Sequence, residues 1–323
     1  MQRNRGRCHF LTDHRRGRFP QIRGAHPDGQ RHNKAYTIGY TQHRVHNYIY
    51  TYITIEPRRK HEKTTKRREE KTTETIAIIN QKGGVGKTTT AHALGTGLTL
   101  KGYKVLFLDL DQGRNLSYVL DALEAGEMNG SDTSQLFTGA SVKSLVIRSG
   151  KGWDAIPGSG NLASLELEGD RQEYRIKDAL EAVAGKYDFC IIDTPPGLGI
   201  ITVNALTAAD SIIIPAAAAV FSLQGVGELS QTLDAIRQHS NPSLQVKGIL
   251  LTEYRERSNL TRNITELMEQ TAALLKTKVF RARIRYYQAH GEAQGYQQSI
   301  FEYAPNSNAA ADYADFIREY LEG

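Results

Sequence analysis

The feature that most constrains this chain is the stretch from Ile76 to Thr90, which reads IAIINQKGGVGKTTT. It opens with a short apolar run, which is typical of a strand buried on both faces of a sheet. Glycines follow at Gly83, Gly84 and Gly86, and such a loop lets backbone N–H groups turn inward around an anion. A helix predicted over 89–100 would point its N-terminal dipole at the same anion. The stretch is therefore predicted to be a phosphate-binding P-loop.

Side chains of the loop carry the matching chemistry. Lys87 adds a positive charge for the outer phosphates, and the hydroxyl of Thr88 sits where a Mg²⁺ ligand belongs. The usual pattern G-x-x-x-x-G-K-[ST] would place a glycine at position 81, but this chain has Gln81 followed by Lys82. Lys82 is therefore either a solvated loop lysine or a second phosphate ligand.

Two later apolar runs end in aspartates. The run 104–109 (KVLFLD) continues into Leu110 and Asp111, so two carboxylates, Asp109 and Asp111, lie at the carboxyl end of a predicted strand. That is where α/β sheets place their ligands. The run 187–193 (YDFCIID) ends at Asp193. An apolar strand ending in aspartate after a P-loop is the Walker B arrangement, in which the carboxylate holds Mg²⁺ through a water molecule.

Strand and helix patterns alternate from Thr75 onward. This alternation predicts an α/β fold with a mostly parallel twisted sheet and helices on both faces, in a single domain over 73–323. The predicted strands are 76–80, 104–109, 143–148, 153–157, 187–193, 211–215, 246–252 and 277–284. The predicted helices are 89–100, 115–125, a short one around 134, 171–184, 200–209, 222–239, 260–275 and 308–321.

The first 72 residues differ from the rest in charge. They hold 18 Lys and Arg against 6 Asp and Glu, whereas 73–323 hold 23 against 29, so the net charge of +6 comes from the leader alone. Three interpretations of residues 1–72 remain open: a basic, disordered arm that contacts nucleic acid by charge, a targeting segment, or upstream sequence included by a misassigned start. The leader has no apolar core of the length that a signal peptide or membrane span needs. Cys8 and Cys190 form no CxxC pair, so neither a disulfide framework nor an iron–sulfur site is expected.

The motifs taken together resemble the deviant Walker A ATPases of the ParA/MinD/Soj family. KGGVGKT resembles their P-loop box, and the segments VLFLDLDQGRNLS and YDFCIIDTPPGLGIITVNALTAADSIIIP are similar to a ParA-type partition ATPase in order and spacing. The resemblance covers about residues 75 to 321. Two segments depart from the family: DLDQGRN lacks the proline of DLDPQGN, and Arg285-Tyr286-Tyr287 stand where Pro-Arg-Asn is usual, which leaves the adenine contacts open.

The resemblance implies a deviant Walker A P-loop NTPase that binds ATP and Mg²⁺. Lys82 would reach across a dimer interface to the partner's ATP, and Asp111 would orient the attacking water. Lys82, Lys87 and Asp111 are thus the expected catalytic residues. Thr88, with Asp193 through a water molecule, would hold the metal. The expected ATP-binding set is Lys82, Gly83, Gly84, Val85, Gly86, Lys87, Thr88 and Thr89.

The resemblance also implies partners and a location. ATP would stabilise a homodimer that binds nonspecific DNA, turnover would be slow, and a ParB-type centromere-binding protein would stimulate it. The protein would be cytoplasmic and nucleoid-associated in a bacterium, with a plasmid, a chromosome or an integrative element as cargo. On a strand, Arg281, Arg283 and Arg285 would share one face. That face is either a solvated edge or a patch for DNA phosphates. The expected DNA-binding residues are Arg255, Arg257, Arg262, Arg281, Arg283 and Arg285.

The sequence also bears on three other functions. A MinD-like membrane-cycling ATPase would need a basic amphipathic C-terminal helix, but the tail ADYADFIREYLEG is acidic, so no membrane partner is expected. A P-loop tyrosine kinase would carry its tyrosines clustered in a tail, whereas here they are spread through predicted elements. A DNA-binding scaffold or repressor that uses ATP only as a switch remains the alternative, and a measured turnover would distinguish it.

Overall fold

The computed structural model describes residues 72–165, 172–217, 222–255 and 259–323; the side chains of 163, 222–228 and 259–263 are outside the description. Its strands are β1 (Glu74–Ile78), β2 (Val105–Asp109), β3 (Ile147–Arg148), β4 (Trp153–Ile156), β5 (Phe189–Asp193), β6 (Ser211–Ala217), β7 (Gln245–Tyr254) and β8 (Val279–Arg285). Its helices are α1 (Lys87–Leu100), α2 (Asn115–Val119), α3 (Leu123–Asn129), α4 (Ser134–Phe137), α5 (Val142–Leu145), α6 (Arg175–Glu181), α7 (Ile200–Ala208), α8 (Ser222–His239), α9 (Asn259–Leu274), α10 (Gln288–Gly295), α11 (Ile300–Tyr303) and α12 (Asn308–Glu322).

The eight strands form one sheet in the order β3-β4-β2-β5-β1-β6-β7-β8. Every neighbouring pair is parallel except β3 with β4, which is antiparallel. The α/β fold with a mostly parallel sheet is therefore confirmed. β1 lies between β5 and β6, and the later strands are added to the sheet on both sides of it. Ligands of such sheets bind at the carboxyl ends of the strands around this reversal.

The alternation of side chains in the central strands explains why the strands read as continuous apolar runs. In β1, Ala77 contributes to one apolar cluster, which is covered mainly by α7, α8 and α9. Ile76 and Ile78 contribute to the other cluster, which is covered mainly by α1 and α12. Both faces are therefore buried, and a strand buried on both faces has no polar side.

Helix α1 follows the P-loop and lies in close contact with its neighbours. A Cβ atom on Gly95 would come within 2.2 Å of Phe107 in β2, and one on Gly97 within 2.2 Å of Ile317 in α12. Glycine is required at both positions because any side chain would push the helix away. This close packing fixes the start of α1 relative to the carboxyl edge of the sheet.

Some predicted boundaries differ from the structure. The predicted strand 143–148 is wrong in its first part, because Val142–Leu145 is a helical turn and only Ile147–Arg148 is extended. The predicted helix 115–125 is broken into α2 and α3 by Asp121, whose φ is 55°. Helices α10 and α11 were not predicted at all. No helix in the described part of the chain is long and apolar enough to cross a bilayer.

Candidate nucleotide-binding site

The P-loop lies between the end of β1 and the start of α1. Gly84 and Gly86 have φ values of 74° and 86°, in the left-handed region that favours glycine. Asn80 stabilises the start of the loop, because its side-chain amide donates to Pro215 O (2.8 Å) and its Oδ1 accepts from Lys82 N (3.0 Å). The loop is therefore tied to β6 before it turns toward α1.

The first residues of α1 place their side chains in the loop. Lys87 Nζ donates to the backbone carbonyl of Lys82 at 3.1 Å, so the side chain of Lys87 reaches back across the P-loop. Burial lowers the pKa of the Lys87 ammonium, while the charges of Asp193 and Asp111 act to raise it. The lysine therefore lies within electrostatic reach of both carboxylates.

Thr88 and Asp193 meet although they are 105 positions apart. Thr88 Oγ1 donates to Asp193 Oδ2 at 2.6 Å, and Asp193 pairs in register with Ile78 at the end of β1. Among the described residues, no hydrogen-bond donor reaches the buried Asp193 Oδ1. Burial, with Asp109 as the next cause, raises the pKa of Asp193. A buried carboxylate oxygen with no partner beside a threonine hydroxyl is a donor set that fits Mg²⁺.

The two aspartates at the end of β2 and just beyond it have different surroundings. Asp109 is fully buried, and its Oδ2 accepts from Ser117 N (2.8 Å) and Ser117 Oγ (2.6 Å). Its pKa is raised by burial to about 6, against the effect of these hydrogen bonds. Asp111 is half-buried, accepts from Gly113 N (2.9 Å), and lines an open cleft. Asp109 thus holds α2 in place, whereas Asp111 faces the cleft.

The cleft has a volume of about 810 Å³ and extends from the P-loop to the segment that follows β8. That size suits a nucleotide. The sequence did not indicate most of its far wall, which is built from the ends of β7 and β8, α2 and α10. These lining residues are Tyr118, Thr252, Glu253, Tyr286, Tyr287, His290 and Gln294. The tyrosines of the Arg285-Tyr286-Tyr287 segment therefore do face the cleft.

Lys82 is placed differently from the other loop residues. Its side chain is exposed, and Lys82 is not among the residues that line the cleft of its own chain. The structure therefore brings Lys87, Thr88, Thr89, Asp111 and the loop glycines to one cleft, and Lys82 does not line it.

The arginines expected to bind DNA do not form one uniform surface. Arg285 is ion-paired with the buried Asp312 (Nη2 to Oδ1, 2.5 Å), and Arg281 lies 3.8 Å from Glu319 although its side chain is 86% exposed. Arg283 stacks over Tyr254, and Arg255 over Tyr286. Arg257 and the side chain of Arg262 lie outside the described residues. Arg281, Arg283 and Arg285 are on one strand, but Arg285 has its charge balanced within the fold.

The fold and the site together define a P-loop ATPase of the deviant Walker A type, with two lysines in the loop. The family profile described as an AAA domain matches residues 73–246. The sporulation initiation inhibitor protein Soj of Bacillus subtilis is 36% identical over 248 residues, which cover 76% of this chain and 96% of Soj. The chromosome partitioning protein ParA of Caulobacter vibrioides is 35% identical over 254 residues, covering 76% of this chain and 93% of ParA. The chain belongs to the ParA/Soj family of partition ATPases.

A solved structure agrees with this assignment at the level of the nucleotide fold. The cobyrinic acid a,c-diamide synthase of Mycobacterium smegmatis, with bound ATP analog and magnesium, superposes with a TM-score of 0.65 at 30% identity. The match covers 76% of this chain and 93% of the synthase. Soj and ParA are more similar to this chain, at 36% and 35% identity, than the synthase is at 30%. The synthase therefore supports the nucleotide-binding fold of this chain, and its own reaction is not assigned to it.

Proposed function

We propose that this protein hydrolyses Mg²⁺-bound ATP and uses the cycle of ATP binding and hydrolysis to segregate DNA. The observation that carries the proposal is that Lys87, Thr88 and Asp111 line one cleft at the carboxyl edge of the sheet, with the buried Asp193 accepting a hydrogen bond from Thr88. Membership of the ParA/Soj family supports the use of that chemistry in partition.

ATP is the nucleotide that the site takes in this proposal. The glycines of the loop and the first turn of α1 offer backbone N–H groups to the phosphates. Mg²⁺ is held by the hydroxyl of Thr88 and, through water, by the unpartnered oxygen of Asp193. When bound, the metal neutralises charge on the phosphates and orients them. The synthase structure with ATP analog and magnesium supports this choice for the same fold.

Catalysis in this proposal depends on fixed charges and one positioned carboxylate. Lys87 stabilises the negative charge that spreads over the γ-phosphate in the transition state. Asp111 accepts a hydrogen bond from the attacking water and aligns it. Gly113 N–H already holds one carboxylate oxygen of Asp111, so the side chain is oriented before ATP binds. Turnover is slow until a partner acts, as the resemblance to partition ATPases implies.

The exposed Lys82 completes the site of a second copy. Its exposure and its absence from the lining of its own cleft support a contact with the phosphates of the partner subunit. ATP then links the two subunits, and the dimer is the form that holds DNA. A ParB-type centromere-binding protein stimulates hydrolysis and releases the dimer, which in a bacterial cell places the protein on the nucleoid.

DNA contact in this proposal uses charge without base reading. Arg255, Arg281 and Arg283 are the described candidates, and Arg257 and Arg262 remain sequence predictions. Arg285 contributes less because Asp312 balances its charge. Affinity for DNA that comes from phosphate contacts falls steeply as salt increases, so a salt-insensitive affinity would count against this surface.

The test is the ATPase rate of the full chain, with and without nonspecific DNA, for the wild type and Asp111→Asn. Slow turnover that DNA raises and that the variant lacks would support the proposal. Asp121→Asn is the matched control, because Asp121 is exposed and its left-handed backbone suits asparagine. Nucleotide binding and dimerisation without any turnover in the wild type would instead favour the ATP-switched scaffold.

A further inference from the structure

Helix α10 contacts the P-loop helix directly through one side chain. Gln294 Nε2 donates to Thr89 Oγ1 at 2.8 Å, across 205 positions of sequence. Both residues line the nucleotide cleft. Gln294 lies beyond residues 73–246, where the family profile matches, so the profile says nothing about it.

The direction of this hydrogen bond decides what Thr89 can do. A hydroxyl has one proton to donate and two lone pairs that accept. Because the amide of Gln294 donates, the oxygen of Thr89 accepts, and its proton stays available for another partner. The carbonyl four residues before Thr89, that of Val85, already accepts from Thr252 Oγ1 at 2.9 Å. Among the described residues, no acceptor takes the Thr89 proton, so this proton is available to a ligand in the cleft.

A phosphate oxygen is the partner that fits this proton. Thr89 lies in the first turn of α1, where backbone N–H groups have no acceptor within the helix. Thr88, one position earlier, faces Asp193 and the metal site. Thr89 projects about 100° further around the helix axis, toward α10 and away from the metal. Its ligand is therefore a phosphate that does not share the metal, closer to the sugar than the β- and γ-phosphates reached by Lys87.

We propose that Gln294 is a positioning residue that turns the Thr89 hydroxyl into a donor for the α-phosphate of the bound nucleotide. The inference rests on the proposed ATP-binding function and adds a residue outside the P-loop to it. Because ATP and ADP both carry an α-phosphate, Gln294 contributes equally to binding both. It strengthens ground-state and transition-state binding alike, so it affects KM and leaves kcat unchanged.

The test compares two variants of nearly the same size. Gln294→Met removes the donor, and one lost hydrogen bond of this kind weakens ATP and ADP binding about three- to tenfold. Gln294→Glu reverses the polarity, because a carboxylate takes the Thr89 proton for itself and also repels phosphate. A loss greater than that of Gln294→Met is therefore expected. Gln298→Glu is the control for charge, since Gln298 is exposed and is not among the residues that line the cleft.

Binding of ATP and ADP to the full chain is measured by calorimetry, and KM and kcat are measured with ATP. The expected result is a parallel rise in both dissociation constants and in KM, with kcat within about twofold of the wild type. Thr89→Val should weaken binding similarly, and adding Gln294→Met to it should cause no further loss. Unchanged thermal melting without nucleotide shows that the variants are folded.

The outcomes separate this inference from the function on which it rests. A wild type that binds no nucleotide would overturn the proposed function and the inference together. If the wild type binds ATP, and Gln294→Glu and Gln294→Met both bind ATP as tightly as the wild type does, only the inference is overturned. A fall in kcat with unchanged KM would also overturn it, since Gln294 would then act on the chemical step.

Discussion

Thr88 and Asp193 form the contact that would hold the metal in the proposed function. The hydroxyl of Thr88 is the donor that reaches Asp193 Oδ2, and Asp193 Oδ1 has no donor among the described residues. Thr88→Val keeps the shape of the side chain and removes that hydroxyl. We expect Mg²⁺-dependent ATP affinity to fall at least about tenfold, because a metal ligand and a buried hydrogen bond are both lost. Nucleotide titrations at several Mg²⁺ concentrations measure this.

Thr88→Ser is the control for the same position. It keeps the hydroxyl, so we expect its Mg²⁺ dependence to follow the wild type within a few-fold. Equal Mg²⁺ dependence in Thr88→Val and the wild type would show that the metal lies elsewhere.

His92 makes the stability of the protein depend on pH. It lies in α1 away from the cleft, and burial lowers its pKa from 6.5 to about 4. The charge of Glu302 raises this pKa and the charge of Lys151 lowers it, both by less than burial does. The unfolded chain therefore binds a proton more readily than the folded one. Stability from the neutral imidazole is complete above pH 6.5 and is lost as the pH falls toward about 4.

We expect His92→Leu to remove this part of the pH dependence. Between pH 7 and pH 5 the wild type should lose about 2 kcal/mol more free energy of unfolding than the variant. Denaturant unfolding at a series of pH values measures it, and His239→Gln, at an exposed histidine, should behave like the wild type. Parallel curves for wild type and His92→Leu would mean that His92 charges freely in the folded state.

At the scale of elements, α12 protects the open edge of the sheet. The edge strand β8 has backbone N–H groups that the sheet leaves unpaired, and carboxylates of α12 accept from them. Glu319 accepts from Arg281 N and Ala282 N at 2.9 Å each, and Asp312 accepts from Arg285 N at 2.9 Å. Edge strands covered in this way do not pair with other chains. Asp312 and Glu319, two acidic residues of the C-terminal segment, thus stabilise the fold.

This arrangement predicts unequal effects for two aspartates of α12. Asp312 also forms the ion pair with Arg285, and its side chain is 7% exposed. We expect Asp312→Ala to cost about 3 kcal/mol of stability, because it removes both the ion pair of a partly buried guanidinium and the acceptor of the Arg285 backbone N–H. Asp315→Ala breaks an exposed pair with Arg318 and should cost less than about 1 kcal/mol. Thermal or denaturant unfolding of both variants checks this, and equal losses would contradict it.

The order of the elements could be predicted from the sequence because the sheet is buried on both faces. Apolar runs such as 187–193, bounded by charged or glycine-rich segments, have few other ways to fold. Short segments were harder, since Val142–Leu145 offers too few residues to distinguish a helical turn from a strand. Helix α10 was missed because QAHGEAQG has two glycines and little apolar periodicity.

The candidate site could be predicted only where a local sequence pattern marks its residues. Lys87, Thr88 and the loop glycines belong to one motif, and Asp111 and Asp193 end apolar strands. The far wall of the cleft has no such signal. Gln294 meets Thr89, and Thr252 meets Val85, only because β7, α10 and α1 converge in the folded chain. Contacts of this kind depend on packing, which no local pattern encodes.

At the scale of the whole molecule, the exposed Lys82 makes a prediction about two copies of the chain. If Lys82 serves the site of the partner, Lys82→Ala and Asp111→Ala chains should both be inactive alone. A mixed dimer would contain one complete site, formed by Lys82 of the Asp111→Ala chain and Asp111 of the Lys82→Ala chain. An equal mixture should recover about one quarter of wild-type ATPase activity, because half of the random dimers are mixed and each has one of two sites intact.

The same experiment separates this arrangement from a lysine that acts within its own chain. In that case each subunit of a mixed dimer would lack one required group, and mixing would recover nothing. ATP-dependent dimerisation of Lys82→Ala, followed by light scattering, provides a second readout. Undiminished dimerisation of Lys82→Ala together with no recovery on mixing would exclude a contact across the interface. Recovery that rises and then falls as one variant is added in excess would establish it, since only the mixed dimer carries the complete site.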